Sequence, residues 1–228
     1  MNSLTTDPAD TTLRRLFTEA QAADATLAED MFEGIESQEA AISRMLEAET
    51  QDYRAVAHRV AGNFLAVSPE FGRFLYMCAR GCQARTVVEF GTSFGISTIH
   101  LAAAVRDNGG GQVIGTELEP SKAERARAHL TEADLADLVD IRVGDALETL
   151  REVGGPVDLV LLDGSFTLYR PVLDLLEPHL RPGAFVIGEN AFEGTGYLEY
   201  VRDPSNGYLS LVLPFGVERG NELSIRTR

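Results

Sequence analysis

Three features of the sequence predict an α/β fold with a mostly parallel sheet. From residue 84 onwards, short β-branched runs alternate with stretches that have the spacing of amphipathic helices, as in chains that build parallel sheets through helical crossovers. The run 157–163 is almost continuously apolar, which is typical of a central parallel strand that is covered on both faces. The last two runs are joined without a helix, which indicates an antiparallel hairpin at one edge of the sheet.

The elements follow in chain order. Helices are expected at 96–105, from Pro120, at 146–153 and at 168–180, and each lies between two strand-like runs. The strand-like runs are 86–90, 112–117, 140–143, 157–163, 184–187, 208–213 and 223–226. The predicted architecture is therefore a Rossmann-like, seven-stranded, mostly parallel sheet with a C-terminal antiparallel hairpin, preceded by an N-terminal helical extension.

Residues 1–60 are predicted to form that helical extension, separate from an α/β domain of residues 61–228. Leu13 and Leu16 fit one helical face, and Met45 belongs to a second apolar face. Two amphipathic helices need an apolar partner. We therefore expect the extension either to cap an entrance to the domain or to form the contact of a homodimer.

Composition and charge exclude several classes of function. Asp and Glu number 35 against 20 Lys and Arg, a formal net charge of −15, and so acidic a surface repels the phosphate backbone of a nucleic acid. No apolar run of about 18 residues is present, so no membrane span is expected. The N-terminus lacks the basic and apolar segments of a signal peptide, so a cytoplasmic protein is expected.

Each of the first five predicted strands has an acidic residue within a residue or two of its end. In open α/β sheets ligands bind beyond the carboxyl ends of the strands, so these acids should surround one site. An acidic rim of this kind suits a ligand with hydroxyl or amino groups, or a metal ion. The acids are Glu89, Glu117, Asp145, Asp163 and Glu189.

The loop after the first strand contains two glycines, Gly91 and Gly95. It has neither the Gly-x-Gly-x-x-Gly pattern of dinucleotide folds nor a phosphate-binding lysine, so it either shapes a tight turn or brings backbone close to a ligand. Glu117 follows 22 residues after Gly95, where a carboxylate commonly binds ribose hydroxyls. Ser97, just inside the next helix, could hold a carboxylate. A nucleoside that carries an amino acid, namely S-adenosylmethionine, fits this combination.

The strand ends carry five short motifs, which read VVEFGTSFGIST at 87–98, GTELE at 115–119, GDA at 144–146, LLD at 161–163 and GEN at 188–190. Together they resemble the class I S-adenosylmethionine-dependent methyltransferases, and more narrowly the O-methyltransferases of the catechol and caffeoyl-CoA type. The resemblance runs from about Ala66 to the C-terminus. It implies transfer of a methyl group to a hydroxyl of a small molecule, with S-adenosylmethionine and a divalent cation, usually Mg²⁺.

The resemblance also implies a role for each motif. Residues implied to bind the cofactor are Val67, Glu89, Gly91, Thr92, Ser93, Gly95 and Ser97 around the methionine, Glu117 at the ribose, and Asp145 and Ala146 at the adenine. Asp163 is implied to border the cofactor as well and to be the catalytic residue. The implied metal ligands are Asp163, Glu189 and Asn190, hard oxygen donors of the kind that Mg²⁺ prefers.

Two positions depart from the family's pattern. Glu189 stands where the family usually has Asp, and Phe166 stands where it commonly has the lysine that serves as general base. Tyr169, one turn further on, is either a substitute base or a residue packed against the sheet. The missing lysine keeps two alternatives open: a metal-independent methyltransferase with a changed acceptor, or a cofactor-binding protein without catalysis.

Overall fold

A computed structural model of the protein describes residues 2–27, 37–214 and 220–228. Its strands are β1 (Thr86–Phe90), β2 (Gln112–Glu117), β3 (Val139–Val143), β4 (Val157–Leu162), β5 (Leu180–Gly188), β6 (Tyr208–Leu213) and β7 (Asn221–Arg226). They form one sheet in the order β3-β2-β1-β4-β5-β7-β6. The first five strands are parallel, and β7 runs antiparallel between β5 and β6. The predicted fold class is confirmed.

Helices cover both faces of the sheet. They are α1 (Ala9–Ala23), α2 (Gln38–Arg59), α3 (Pro69–Gly81), α4 (Ile96–Asp107), α5 (Pro120–Glu132), α6 (Ala146–Thr149), α7 (Tyr169–Leu176) and α8 (Tyr197–Val201). In the part of the chain that the structure describes, no helix is long and apolar enough to cross a membrane.

The core consists of two apolar clusters, one on each face, because successive strand residues point to opposite sides of a sheet. In β1, Val87 packs into the cluster formed with α1, α3, α4 and α5. Val88, the next residue, packs into the cluster formed with α6, α7 and α8. Both valines are fully buried, and so are Leu159 to Leu162 of the neighbouring β4, so β4 is the central strand that the apolar run 157–163 predicts.

The sheet has a switch point between β1 and β4. The chain places β2 and β3 on one side of β1 and β4 and β5 on the other. The loops that follow β1 and β4 therefore lead away in different directions and leave a crevice beyond the carboxyl ends of the strands.

The predicted helix 168–180 is shorter in the structure. Helix α7 ends at Leu176, and a 3-10 turn, Glu177–His179, follows it. Pro178 has no amide hydrogen and its ring crowds the preceding turn, so the α-helix cannot continue through it. Strand β5 consequently begins at Leu180, before the predicted run 184–187.

Helix α1 packs against the chain's own core. Leu13, Leu16 and Ala20 are buried in the same apolar cluster as the residues of α4 and α5. Its apolar face is thus covered within the chain. The homodimer contact through residues 1–60, and a domain boundary at residue 60, stay predictions.

Helix α2 crosses the carboxyl ends of three strands. Its contacts, in order along the helix, are Glu49 with Thr167 after β4, Tyr53 and Arg54 with Asp145 after β3, and His58 with Glu119 after β2. The helix bends at Asp52, which has φ −160° and ψ 86°, and the Asp52 side chain accepts a hydrogen bond of 3.0 Å from the amide of Ala55. Because of this course, α2 forms a wall above the crevice.

Gly91 marks the closest approach of the β1 and β4 ends. Its φ is +99°, and a Cβ atom at this position would lie 2.0 Å from the carbonyl oxygen of Asp163. The amide of Asp163 donates a hydrogen bond of 2.8 Å to the carbonyl of Phe90. Only glycine allows both the left-handed backbone and this contact.

We expect Gly91→Ala to destabilise the protein more than Gly110→Ala. Both glycines have positive φ, but a Cβ at Gly110 would meet nothing within 4 Å. The matched pair therefore separates backbone strain from the clash. The clash should lower the free energy of unfolding by roughly 2 kcal/mol beyond the strain that both variants share, measured by urea denaturation. Equal losses in the two variants would show that the β1 and β4 ends are not in contact.

Candidate active site

A cavity of about 440 Å³ lies at the carboxyl ends of the strands, with α2 as one wall. Its volume is within the range of small-molecule sites. The predicted site residues that line it are Val67, Gly91, Thr92, Ser93, Ser97, Glu117, Asp145, Ala146, Asp163, Glu189 and Asn190. Glu89 and Gly95 do not line it. The structure thus brings most of the residues that the motifs single out into one place.

Hydrogen bonds fix the loop between β1 and α4. The amide of Ser93 donates to Oε2 of Glu117 at 2.7 Å, and the Ser93 hydroxyl donates to the carbonyl of Phe64 at 2.7 Å. Gly95, with φ +91°, begins α4 without a side-chain cap. The loop is therefore tied to the end of β2 and to the segment before α3, and Ser97 follows in the first turn of α4.

Glu117 presents a nearly buried carboxyl group at the end of β2. Its Oε1 accepts a hydrogen bond of 2.8 Å from the amide of Glu119. Burial raises the pKa of Glu117, while the Glu119 amide and the charge of Lys122 oppose that shift. A carboxylate oxygen accepts two hydrogen bonds, so each oxygen of Glu117 can still bind a ligand hydroxyl.

Lys122 is a site residue that the sequence did not reveal. It is the only lysine of the chain, it is buried, and its Nζ lies 3.4 Å from the Ser93 hydroxyl on the cavity wall. Burial lowers the pKa of Lys122, whereas the nearby charge of Glu117 raises it. The available signal was its place in the first turn of α5, where a helical side chain is directed back towards the strand end.

Glu89 is fully buried behind the loop. Its Oε2 accepts hydrogen bonds from the hydroxyls of Thr98 and Thr92, and its Oε1 has no hydrogen-bond partner among the residues that the structure describes. Burial raises the pKa of Glu89 to about 7, against the effect of the Ser97, Thr98 and Thr92 hydroxyls. The carboxyl group therefore joins the loop to α4.

Asp145, which follows β3, is fixed from both sides. Its Oδ1 accepts from the amide of Leu147 at 3.0 Å, and its Oδ2 accepts from the Tyr53 hydroxyl at 2.6 Å and from the Arg54 guanidinium. Burial opposes ionisation of Asp145, but these hydrogen bonds outweigh it and lower its pKa. Tyr53 and Arg54 were not predicted as site residues, because their approach to β3 depends on the docking of α2.

Asp163, Glu189 and Asn190 meet at the ends of β4 and β5. Burial raises the pKa of Asp163 well above its ordinary value, and the charges of Glu189 and Glu89 raise it further. The amide of Asn190, at φ +48°, donates a hydrogen bond of 2.7 Å to Oδ1 of Asn221. The described residues include no group of three or more His, Cys, Asp and Glu side chains that could hold a metal ion, and the predicted set has two carboxyls and one amide.

Tyr169 is a packed residue and not a free base. Its ring lies against those of Phe90, Phe166 and Tyr197, and its hydroxyl donates a hydrogen bond of 2.7 Å to the carbonyl of Glu189. Burial raises the pKa of Tyr169 well above 10, and nearby carboxylates raise it further. Of the two roles considered from the sequence, packing against the sheet is the one that the structure shows.

Comparisons with known proteins agree with this geometry. Residues 88–191 match a family described as a methyltransferase domain. Over 135 residues the chain is 39% identical to the catechol O-methyltransferase of Mycobacterium tuberculosis, a match that covers 59% of this chain and 60% of that protein. The chain thus spans about 60% of the length of this curated relative.

Two solved structures are similar over nearly the whole chain. Cofactor-bound Rv0187 from MTB is 28% identical with a TM-score of 0.66, and the match covers 92% of this chain and 98% of that one. The O-methyltransferase TomG from Streptomyces achromogenes, in complex with SAM, is 27% identical with a TM-score of 0.65 and the same coverage. The matched domain, the curated relative and the two solved structures agree with the resemblance seen in the sequence: the chain is similar to class I S-adenosylmethionine-dependent methyltransferases, and more narrowly to O-methyltransferases of the catechol and caffeoyl-CoA type.

The raised pKa of Glu89 predicts a pH-dependent loss of stability. Its pKa is about 7 in the folded chain against 4.5 as the ordinary value, so the protonated form favours folding. The stabilisation is complete below about pH 4.5 and is lost as the pH rises to about 7, for a total of about 3 kcal/mol. Urea unfolding of the wild type and of Glu89→Gln at about pH 5 and pH 8 measures it. Parallel pH profiles for the two proteins would refute the assignment.

Proposed function

We propose that this protein is an S-adenosylmethionine-dependent O-methyltransferase that methylates a hydroxyl group of a small molecule. One observation carries the proposal: the same cavity is lined both by Glu117 beside the Gly91 loop and by the acids Asp163 and Glu189. Glu117 and the loop suit a nucleoside with an amino acid, and the two acids suit an acceptor hydroxyl next to the reacting methyl group. The cavity lies under α2 and has a volume of about 440 Å³, which favours a small acceptor over a macromolecule.

The cofactor fits the order of groups along the strand ends. In the proposed placement, Val67, the loop from Gly91 through Thr92 and Ser93 to Gly95, and Ser97 surround the methionine, Glu117 binds the ribose, and Asp145 and Ala146 border the adenine. One feature supports it: each oxygen of Glu117 can accept a further hydrogen bond.

The chain's residues would then perform positioning and electrostatic work. S-adenosylmethionine supplies a methyl group on a positively charged sulfur. The acids Asp163, Glu189 and Glu89 lie around the switch point, and a cationic ligand there would favour their ionised forms. Phe166, which packs against Tyr169, and the wall formed by α2 line the acceptor end and would limit the access of water to the reacting groups.

We propose that Asp163, Glu189 and Asn190 hold a divalent cation, most readily Mg²⁺. The three side chains support this because all of them offer oxygen atoms to a metal ion. In addition, the charged groups that raise the pKa of Asp163 are other acids. A cation at this position would lower the pKa of an acceptor hydroxyl and orient its oxygen. Asp163 would thereby border both the cation and the cofactor.

A metal-independent methyltransferase is the second candidate. It is favoured by Phe166, which occupies the position of the expected lysine and packs against Tyr169 and Phe192. An acceptor that is already ionised, or a neutral amine, would need neither a cation nor a strong base.

Glu117→Ala should weaken the binding of S-adenosylmethionine. The substitution removes a charged acceptor of two hydrogen bonds, which corresponds to about 10- to 100-fold in affinity. Calorimetry on the wild type, on Glu117→Ala and on Glu124→Ala measures the effect, because Glu124 is an exposed acid of the same region and controls for the loss of charge. Unchanged affinity in a folded Glu117→Ala protein would disprove the ribose assignment.

Asp163→Asn should weaken the binding of Mn²⁺, used as a probe for the cation. Loss of a charged ligand should lower the affinity for Mn²⁺ by more than the roughly 10- to 100-fold that is lost with a residue that only orients a metal ligand. Asp174→Asn, an exposed aspartate of α7, is the control. A chelator should abolish methyl transfer by the wild type, and Mg²⁺ or Mn²⁺ should restore it. Full turnover in excess chelator would favour the metal-independent candidate instead.

A further inference from the structure

The proposed function leaves one chemical task without an assigned residue. A hydroxyl that is methylated must lose its proton. The inference rests on the proposed function, because that function makes the methylated group a hydroxyl. Among the described residues that line the cavity, Lys122 is the only basic side chain, and it lies beside Ser93 and Glu117. Tyr169 has its hydroxyl bound to a backbone carbonyl. Neither residue is available at the acceptor end.

Glu49 of α2 lies at the acceptor end. It lines the cavity although its side chain is only 4% exposed. Its Oε2 accepts a hydrogen bond of 3.1 Å from the amide of Thr167 and lies 3.4 Å from the Thr167 hydroxyl. Thr167 is the residue directly after Phe166. The helix thus brings a carboxyl group to the segment from which the expected basic side chain is missing.

Hydrogen bonds hold the Glu49 carboxyl group against this segment. The amide of Thr167 donates to Oε2 at 3.1 Å, and the amide of Phe166 also donates to the carboxyl group. A carboxylate can accept about four hydrogen bonds, so the group can still accept a proton from a ligand in the cavity. Glu49 and Tyr53 are four residues apart in α2, so both can face the strand ends.

We propose that the carboxylate of Glu49 is the proton acceptor for the hydroxyl group that is methylated. In this step the O–H bond of the acceptor breaks and its proton moves to Glu49. The acceptor oxygen forms a bond to the methyl carbon, and the bond between that carbon and sulfur breaks with its electron pair remaining on sulfur. The sulfonium becomes a neutral thioether, and Glu49 releases the proton to solvent when the product leaves.

The surroundings of Glu49 give this step a definite pH dependence. Burial raises the pKa of Glu49, and its hydrogen bonds from Thr167 and from the Phe166 amide oppose the shift. A proton acceptor works in its ionised form, so kcat should fall as the pH drops through the raised pKa. The other titratable and charged groups around it are Tyr169, Asp163 and Glu189 beyond the Phe166 segment, and Tyr53, Arg54 and Asp145 one turn along α2.

Two acceptors and two variants test the proposal. Catechol must lose a proton during the reaction, whereas a nitrocatechol is already ionised at neutral pH. Glu49→Gln keeps the shape of the side chain but cannot take a proton, and Glu47→Gln changes an exposed acid of the same helix. For catechol, Glu49→Gln should lower kcat by about 10²- to 10⁴-fold at neutral pH, with a much smaller change in KM. For the nitrocatechol, kcat should remain close to that of the wild type.

The pH profile completes the test. The wild type should lose kcat for catechol as the pH falls, and Glu49→Gln should lack that decrease and recover only where catechol itself ionises. Glu47→Gln should behave as the wild type. Equal losses of kcat for both acceptors in Glu49→Gln, or no loss for either, would overturn the role of Glu49 alone. Absence of methyl transfer by the wild type to any acceptor would overturn the proposed function and this role with it.

Discussion

The meeting of buried carboxyl groups at one edge of a parallel sheet is the constraint on which the rest of the structure depends. The hydrogen bonds between the parallel strands place the carboxyl ends of these strands at the same edge of the sheet, so Glu89, Asp163 and Glu189 are held close together. Burial raises the pKa of Glu89 and of Asp163, and mutual repulsion adds to it. Without a ligand these carboxyl groups are therefore in an unfavourable electrostatic environment, and a cationic or hydrogen-bond-donating ligand stabilises them.

The wall opposite the strand ends comes from a different part of the chain. Helix α2 connects the ends of β2, β3 and β4 through His58, Tyr53 and Glu49. These three contacts are polar, whereas α1 is held by apolar burial in the core. Ligand binding and the position of α2 should therefore be coupled through the same carboxyl groups.

The sequence predicts the sheet and its strand ends well, because apolar runs, glycines and terminal acids are local signals. It predicts Gly91 and Asp163 as neighbours of a ligand for the same reason. The sequence does not predict Glu49 and Tyr53, because on an acidic helix they have the pattern of a solvent-exposed face. Only the docking of α2 places them at the strand ends. Lys122 escapes prediction because its burial depends on the Ser93 loop, which has no helical or strand periodicity.

A crystal structure with the demethylated cofactor, S-adenosylhomocysteine, tests the central claim most directly. The account predicts the ribose hydroxyls on Glu117, the adenine beside Asp145 and Ala146, and the sulfur facing Asp163 across the Gly91 loop. The acceptor end, between Glu49 and Glu189, should remain open to a second ligand. A cofactor bound outside this cavity, or one that leaves Glu117 without a ribose contact, would contradict the account.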